Sequence, residues 1–215
     1  MRPREARRGS TLIELLVVLG LLGTVVGTLA SMGSVNARLC ATGVTHSSLE
    51  ASARRALERL GRELVGARAG SLDTLAAVPL WQQELDFDRM ASMRPGDGRI
   101  TWSATRAEFR HEPGELDNGL DDDGDGLIDE GLVVLVLDAG GADEQELVLA
   151  RGVRELAEGE QANGLDDNGN GLVDERGLAL ARDGRDLRLY LTLEGLARDG
   201  MRVTRAIETT VWARN

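Results

Sequence analysis

Between Leu15 and Ala37 the chain carries no charged side chain, a run of 23 residues that opens rich in Leu and Val. About 20 apolar residues in a helix span the hydrocarbon of a bilayer, so this run predicts a membrane-crossing helix over residues 10–37. One carboxylate, Glu14, stands at its mouth, a helical turn past Ser10. A charge at the centre of such a helix costs roughly 2.5–3.5 kcal/mol and less near an end, so an acid there needs a partner. Residues 1–9 hold four Arg against one Glu, which marks that end as cytoplasmic. An ordinary secretory signal cut near Ala30 or Ala37 is the alternative. Its apolar core would run to only about 7–15 residues, and an acid among the first of them would be unusual.

The stretch Arg7-Arg8-Gly9-Ser10-Thr11-Leu12-Ile13-Glu14, continued by the apolar run, resembles the class III signal of type IV pilins and type II secretion pseudopilins. The resemblance implies a leader over residues 1–9, removed after Gly9 by a prepilin peptidase that methylates the new N-terminus, Ser10. The freed ammonium of one subunit would then meet Glu14 of its neighbour during assembly. Ser10 stands where the family usually has phenylalanine. No proline interrupts the apolar run, which suits a minor pseudopilin better than a major pilin.

Beyond residue 38 the pattern becomes amphipathic. Leu49, Ala53, Ala56, Leu57, Leu60 and Leu64 recur at three- and four-residue steps, predicting an extracytoplasmic helix over 38–69 with one buried face. Gly33 and Gly43 are the expected weak points between the two helices. From residue 70 to 215 the chain reads as a β-rich soluble domain. Residues 99–110 predict a strand or a tight pair, and Leu132–Leu137 with Glu146–Val153 a hairpin. Leu187, Leu189, Leu191 and Leu193 alternate with polar residues as a half-buried strand requires, and Val203–Ala213 closes the sheet. The fold class is therefore α+β: a long N-terminal helix, transmembrane then amphipathic, packed on an antiparallel sheet. Aromatic residues make up only 3% of the chain, so its core must be mostly Leu, Val and Ala, with Trp81, Trp102 and Trp212 expected as anchors.

Arg54–Leu64, Leu147–Val153 and the closing strand are similar to the J-type minor pseudopilins. That likeness implies a pilin-like structural subunit near the tip of a type II secretion pseudopilus. It would be anchored once in the bacterial inner membrane, N-terminus cytoplasmic and soluble domain periplasmic, among other pseudopilin subunits. A minor type IV pilin, or a membrane-anchored calcium-dependent surface adhesin, is the alternative.

The net charge of −11, with the basic leader set apart from it, disfavours nucleic acid and favours cations. Much of the acidity lies in a repeat. Asn118–Glu130 recurs as Asn163–Glu175, identical at ten of 13 positions with an offset of 45. Within loops 117–131 and 163–176, Asp121, Asp123 and Asp125, or Asp166, Asn168 and Asn170, place oxygen at alternate residues. A glycine follows, Gly126 or Gly171, where the chain must turn sharply. This is the front of an EF-hand-type calcium loop, D-x-[DN]-x-[DN]-G, in which hard oxygens wrap a hard cation. The Leu127 or Leu172 carbonyl would fall at the seventh position and Asp129 or Asp174 at the ninth. The bidentate glutamate of the twelfth position is missing, so Glu130 or Glu175, or water, is expected to close the shell. That omission puts the affinity on the order of 10⁻⁴–10⁻³ M. Loop one carries more carboxylates and should bind more tightly than loop two. A structural calcium is expected, each loop anchoring the strand that follows it.

No enzymatic chemistry is expected. His46 and His111 are the only histidines, far apart and near neither loop, and no nucleophile motif or phosphate-binding glycine loop occurs. Cys40 is the only cysteine, which leaves no intramolecular disulfide.

Overall fold

The structure, a computed structural model, describes residues 12–212, without the side chains of Ser34, Ala37 and Arg38. Helix α1 spans Leu12–Val65 and includes Gly33 and Gly43 without interruption. The chain divides between Ala41 and Thr42 into two units. In the first, Leu12–Gly33 is long and apolar enough to cross a membrane, and none of it is buried inside the protein.

The second unit begins with the amphipathic part of α1. Ala53, Ala56, Leu57, Leu60 and Leu64 are all buried, and Leu49 packs against the same core. Each leucine so buried contributes on the order of 1.5–3 kcal/mol, enough to hold a helix whose exposed face is Arg- and Glu-rich. The helix stops at Val65, short of the expected Ala69. Ala67 instead donates its N–H back to the Leu64 carbonyl and bridges Arg89 of the sheet. A short 3-10 helix, Ala69–Thr74, buries Leu72.

Seven strands follow: β1 (Glu84–Met93), β2 (Ile100–His111), β3 (Gly131–Leu137), β4 (Gln145–Val153), β5 (Leu178–Asp183), β6 (Asp186–Leu196) and β7 (Arg202–Trp212). All pair antiparallel in one sheet, in the order β1-β2-β3-β4-β6-β5 with β7 also on β6. The expected hairpin is β3–β4, the stretch expected as a strand or tight pair is the single strand β2, and the alternating leucines lie on β6. Strand β1 was not expected. Its Glu84, Asp86 and Asp88 look like a solvated segment, while Leu85 and Phe87 between them are core residues.

Strand β6 is the hub, pairing β7 along its length, β5 from Leu178 to Asp183, and β4 through Val153 opposite Leu193. Leu189, Leu191 and Leu193 join the helix leucines in the main core. Of the tryptophans, Trp81 and Trp102 are half-buried, whereas Trp212 is 71% exposed at the end of β7. The two Asp-rich loops connect β2 to β3 and β4 to β5.

Candidate metal centre

Each loop is closed at the same two points. Glu112 and Ala157 donate their N–H to the carbonyls of Glu130 and Glu175 at 3.1 and 3.0 Å. A glycine stands at the start of β3, Gly131, and just before β5, Gly177, and neighbouring backbone packs against each too closely for a side chain. Inside the neck, Asp129 and Asp174 adopt left-handed φ values of 50° and 48°. Their carboxylates turn back to accept the N–H groups of Asn118 and Gly119, or Asn163 and Gly164, at 2.7–3.1 Å. These two residues therefore tie the base of each loop.

At the tip, Asp121 accepts the N–H of Gly124 and of Gly126, and Asp166 those of Gly169, Asn170 and Gly171. Gly126 and Gly171 take φ of 95° and 91°, the sharp turn that glycine supplies without strain. Asp123 Oδ1 accepts the Asp125 N–H at 2.9 Å, and Asp125 Oδ1 the Leu127 N–H at 2.8 Å. In loop two Asn168 and Asn170 repeat both bonds at 3.0 and 2.8 Å. The side chain of Leu127 is buried, and that of Leu172 is fully buried among Ala179, Ala181 and Tyr190.

Glu130 is the decisive residue. It is 1% exposed, and neither carboxylate oxygen has a hydrogen-bond partner. Asp123, Asp125 and Glu130 each bring a carboxylate oxygen within 4.8 Å of the others. Burial raises the Glu130 carboxyl to about 7, its own backbone N–H opposes this in part, and the charges of Asp125, Glu115 and Asp123 add to the rise. A second group, Glu115 with Asp121 and Asp123, shares Asp123. Five carboxylates thus converge on the tip of loop one. Hard anionic oxygens in this number suit a hard divalent cation, which would neutralise the crowd and occupy the place that Glu130 faces.

Glu115 escaped the sequence reading. Its carboxylate accepts the N–H groups of Asp122, Asp123 and Asp129 at 2.8–3.2 Å, holding the loop in shape. Glu160 does the same for Asn168 in loop two at 2.8 Å, and its carboxyl is raised by burial and by the nearby Glu175 and Asp166. The signal was available: Gly114-Glu115 recurs as Gly159-Glu160 at the same offset of 45, just upstream of the matched 13 residues. Each glycine lets its glutamate in, since a Cβ there would lie 3.1 Å from the Cβ of Asp123 or Asn168. A third group, Asp117, Asp129 and Glu155, is approached by the Arg176 guanidinium, which lies 3.9 Å from both Asp117 and Glu155.

His111 stands closer to the site than its sequence position suggests. It ends β2 directly opposite Gly131, next to Glu130, with its ring edge-on to Phe109. Glu14 lies in the first turn of α1. Gly9 and Ser10, the expected processing site, fall outside the described residues. No family model, no curated protein and no solved structure matches this chain.

Proposed function

We propose that this chain is a structural subunit of a pilin-like assembly, a minor pseudopilin of a type II secretion system, whose soluble domain is braced by calcium. The observation that carries this reading is Glu14 in the first turn of the exposed apolar stretch Leu12–Gly33. A carboxylate so placed needs a cation from outside its own helix. A neighbour's N-terminal ammonium, freed by cleavage after Gly9, is suited to the task. The stretch would lie in the inner membrane, with the sheet domain in the periplasm and other pseudopilin subunits as partners. For calcium the support is Glu130, a buried carboxylate with two unpartnered oxygens facing Asp123 and Asp125. Asp121, Asp123, Asp125 and Glu130 would hold the ion, which supplies charge neutralisation and no reaction chemistry.

Mass spectrometry of the native protein tests the assembly role. The expected product begins at Ser10 and carries one added methyl group. A chain that keeps its first nine residues in cells with an active processing peptidase overturns the reading. Replacing Glu14→Ala should leave the protein in the membrane and abolish its incorporation into the assembly.

A further inference from the structure

We infer that only loop one is a cation site, and that in loop two the amide hydrogens of Asn168 and Asn170 stand where the cation would, so that one divalent ion binds per chain. This rests on the reading of loop one as cation-holding and adds how the two copies divide.

The two loops share the bonds that set these side chains. Asp123 and Asn168 each use Oδ1 to accept the N–H two residues on, and Asp125 and Asn170 do likewise. Those bonds fix which way each side chain faces, so the second atom of each head group is directed at Glu130 or Glu175. In loop one that atom is an oxygen, and oxygen meets oxygen: Asp123, Asp125 and Glu130 converge with both Glu130 oxygens unpartnered. In loop two the atom is an amide nitrogen. Asn168 Nδ2 donates to Glu175 Oε1 at 2.7 Å, and Asn170 Nδ2 donates to the same oxygen at 2.6 Å.

The amide orientation is determined by chemistry. Turning either amide over would press its NH₂ group against the backbone N–H of Asn170 or Leu172, donor against donor. A cation entering loop two would have to turn both amides, losing the bonds to Glu175 and the bonds to the backbone together. The charge available to attract it is also lower, Asp166 and Glu175 against Asp121, Asp123, Asp125 and Glu130. Glu175 Oε2 and Glu160 Oε2 remain without partners, yet among the described residues no three carboxylates converge in loop two. A calcium ion takes about 6–8 oxygen ligands, and two separate oxygens do not begin such a shell.

The test is calcium titration of the full chain in detergent after chelation, read as ions bound per chain, with melting followed in calcium and in chelator. One ion per chain is expected. The pair Asp123→Asn and Asp125→Asn should bind none and should melt in chelator as the calcium-loaded parent does, since Glu130 then receives the two amide bonds Glu175 has. The pair Asn168→Asp and Asn170→Asp should bind two ions per chain and melt lower in chelator. Should that second variant fail to fold, the first decides alone. Two ions on the unmodified chain, or one that survives Asp123→Asn with Asp125→Asn, overturns the division of labour and leaves a cation-binding chain. No ion on the unmodified chain overturns the calcium reading itself.

Discussion

Glu130 and Glu175 occupy the same place in two copies of one loop, both buried at the entry to a strand, yet their surroundings differ in kind. Glu175 is held by two amide donors, above a fully buried Leu172, with the Trp81 indole donating to the Val173 carbonyl at 2.8 Å. Glu130 has no donor, and Ile128, the counterpart of Val173, is 36% exposed. Asp and Asn have nearly the same shape, so exchanging them leaves the backbone of the loop intact. What the exchange changes is the sign of one hydrogen bond and one unit of charge, which decides between a loop that closes on itself and one that closes on an ion.

That contrast breaks most readily through packing. Leu172→Ala should cost about 2–5 kcal/mol, the usual loss for a buried leucine, and cost the same in calcium as in chelator. Leu127→Ala should cost less, because Leu127 belongs to no buried cluster, whereas Leu172 does. Denaturant unfolding of both variants in both conditions measures this. A Leu172→Ala loss that calcium repairs would mean that loop two also depends on an ion.

The next largest effect is a pH dependence that loop one carries through Glu130. The Glu130 carboxyl is raised to about 7 from the ordinary 4.5, so without an ion the folded chain keeps a proton that the unfolded chain releases. Its contribution to stability is full below about pH 4.5, falls as pH rises to about 7, and is flat above. The total is roughly 3 kcal/mol at 1.36 kcal/mol per pH unit. Comparing Glu130→Gln with the parent in chelator isolates it, and the variant should lack this part of the slope. Calcium follows closely: at a hundredfold excess over its Kd, a site of this kind adds about 2.7 kcal/mol, or roughly 5–10 °C for a chain of this length. Identical melts in calcium and in chelator would erase the distinction between the loops.

Much of this is legible in the sequence. The repeat itself, its glycine turn and its alternating oxygens at Asp121, Asp123 and Asp125 follow from local spacing, and local spacing survives folding. The buried face of α1 followed equally well, because Leu57, Leu60 and Leu64 obey one period. What escaped depended on tertiary structure. Asp129 fits the ninth position of a calcium loop by count, yet its left-handed backbone sends the carboxylate to the neck. In β1 the acids of Glu84, Asp86 and Asp88 mask the alternation that buries Leu85 and Phe87. Trp212 was expected as a core anchor, but it ends the last strand 71% exposed. Whether Asn168 ligates an ion or replaces one is invisible in a motif that admits Asp and Asn alike.

The smallest effect tests whether the two loops are independent at all. Trp81→Phe keeps most of the ring that packs against the Leu172 cluster and removes only the indole N–H. The lost bond should cost about 1 kcal/mol, the net worth of a neutral hydrogen bond, with no dependence on calcium. Amide exchange should quicken around residues 163–176 and stay unchanged around 117–131. Effects at sites without shared partners add, whereas coupled sites respond together. Faster exchange in both loops would therefore show that the self-bonded copy supports the ion-dependent one, and that Asn168 and Asn170 stabilise more of the sheet than their own loop.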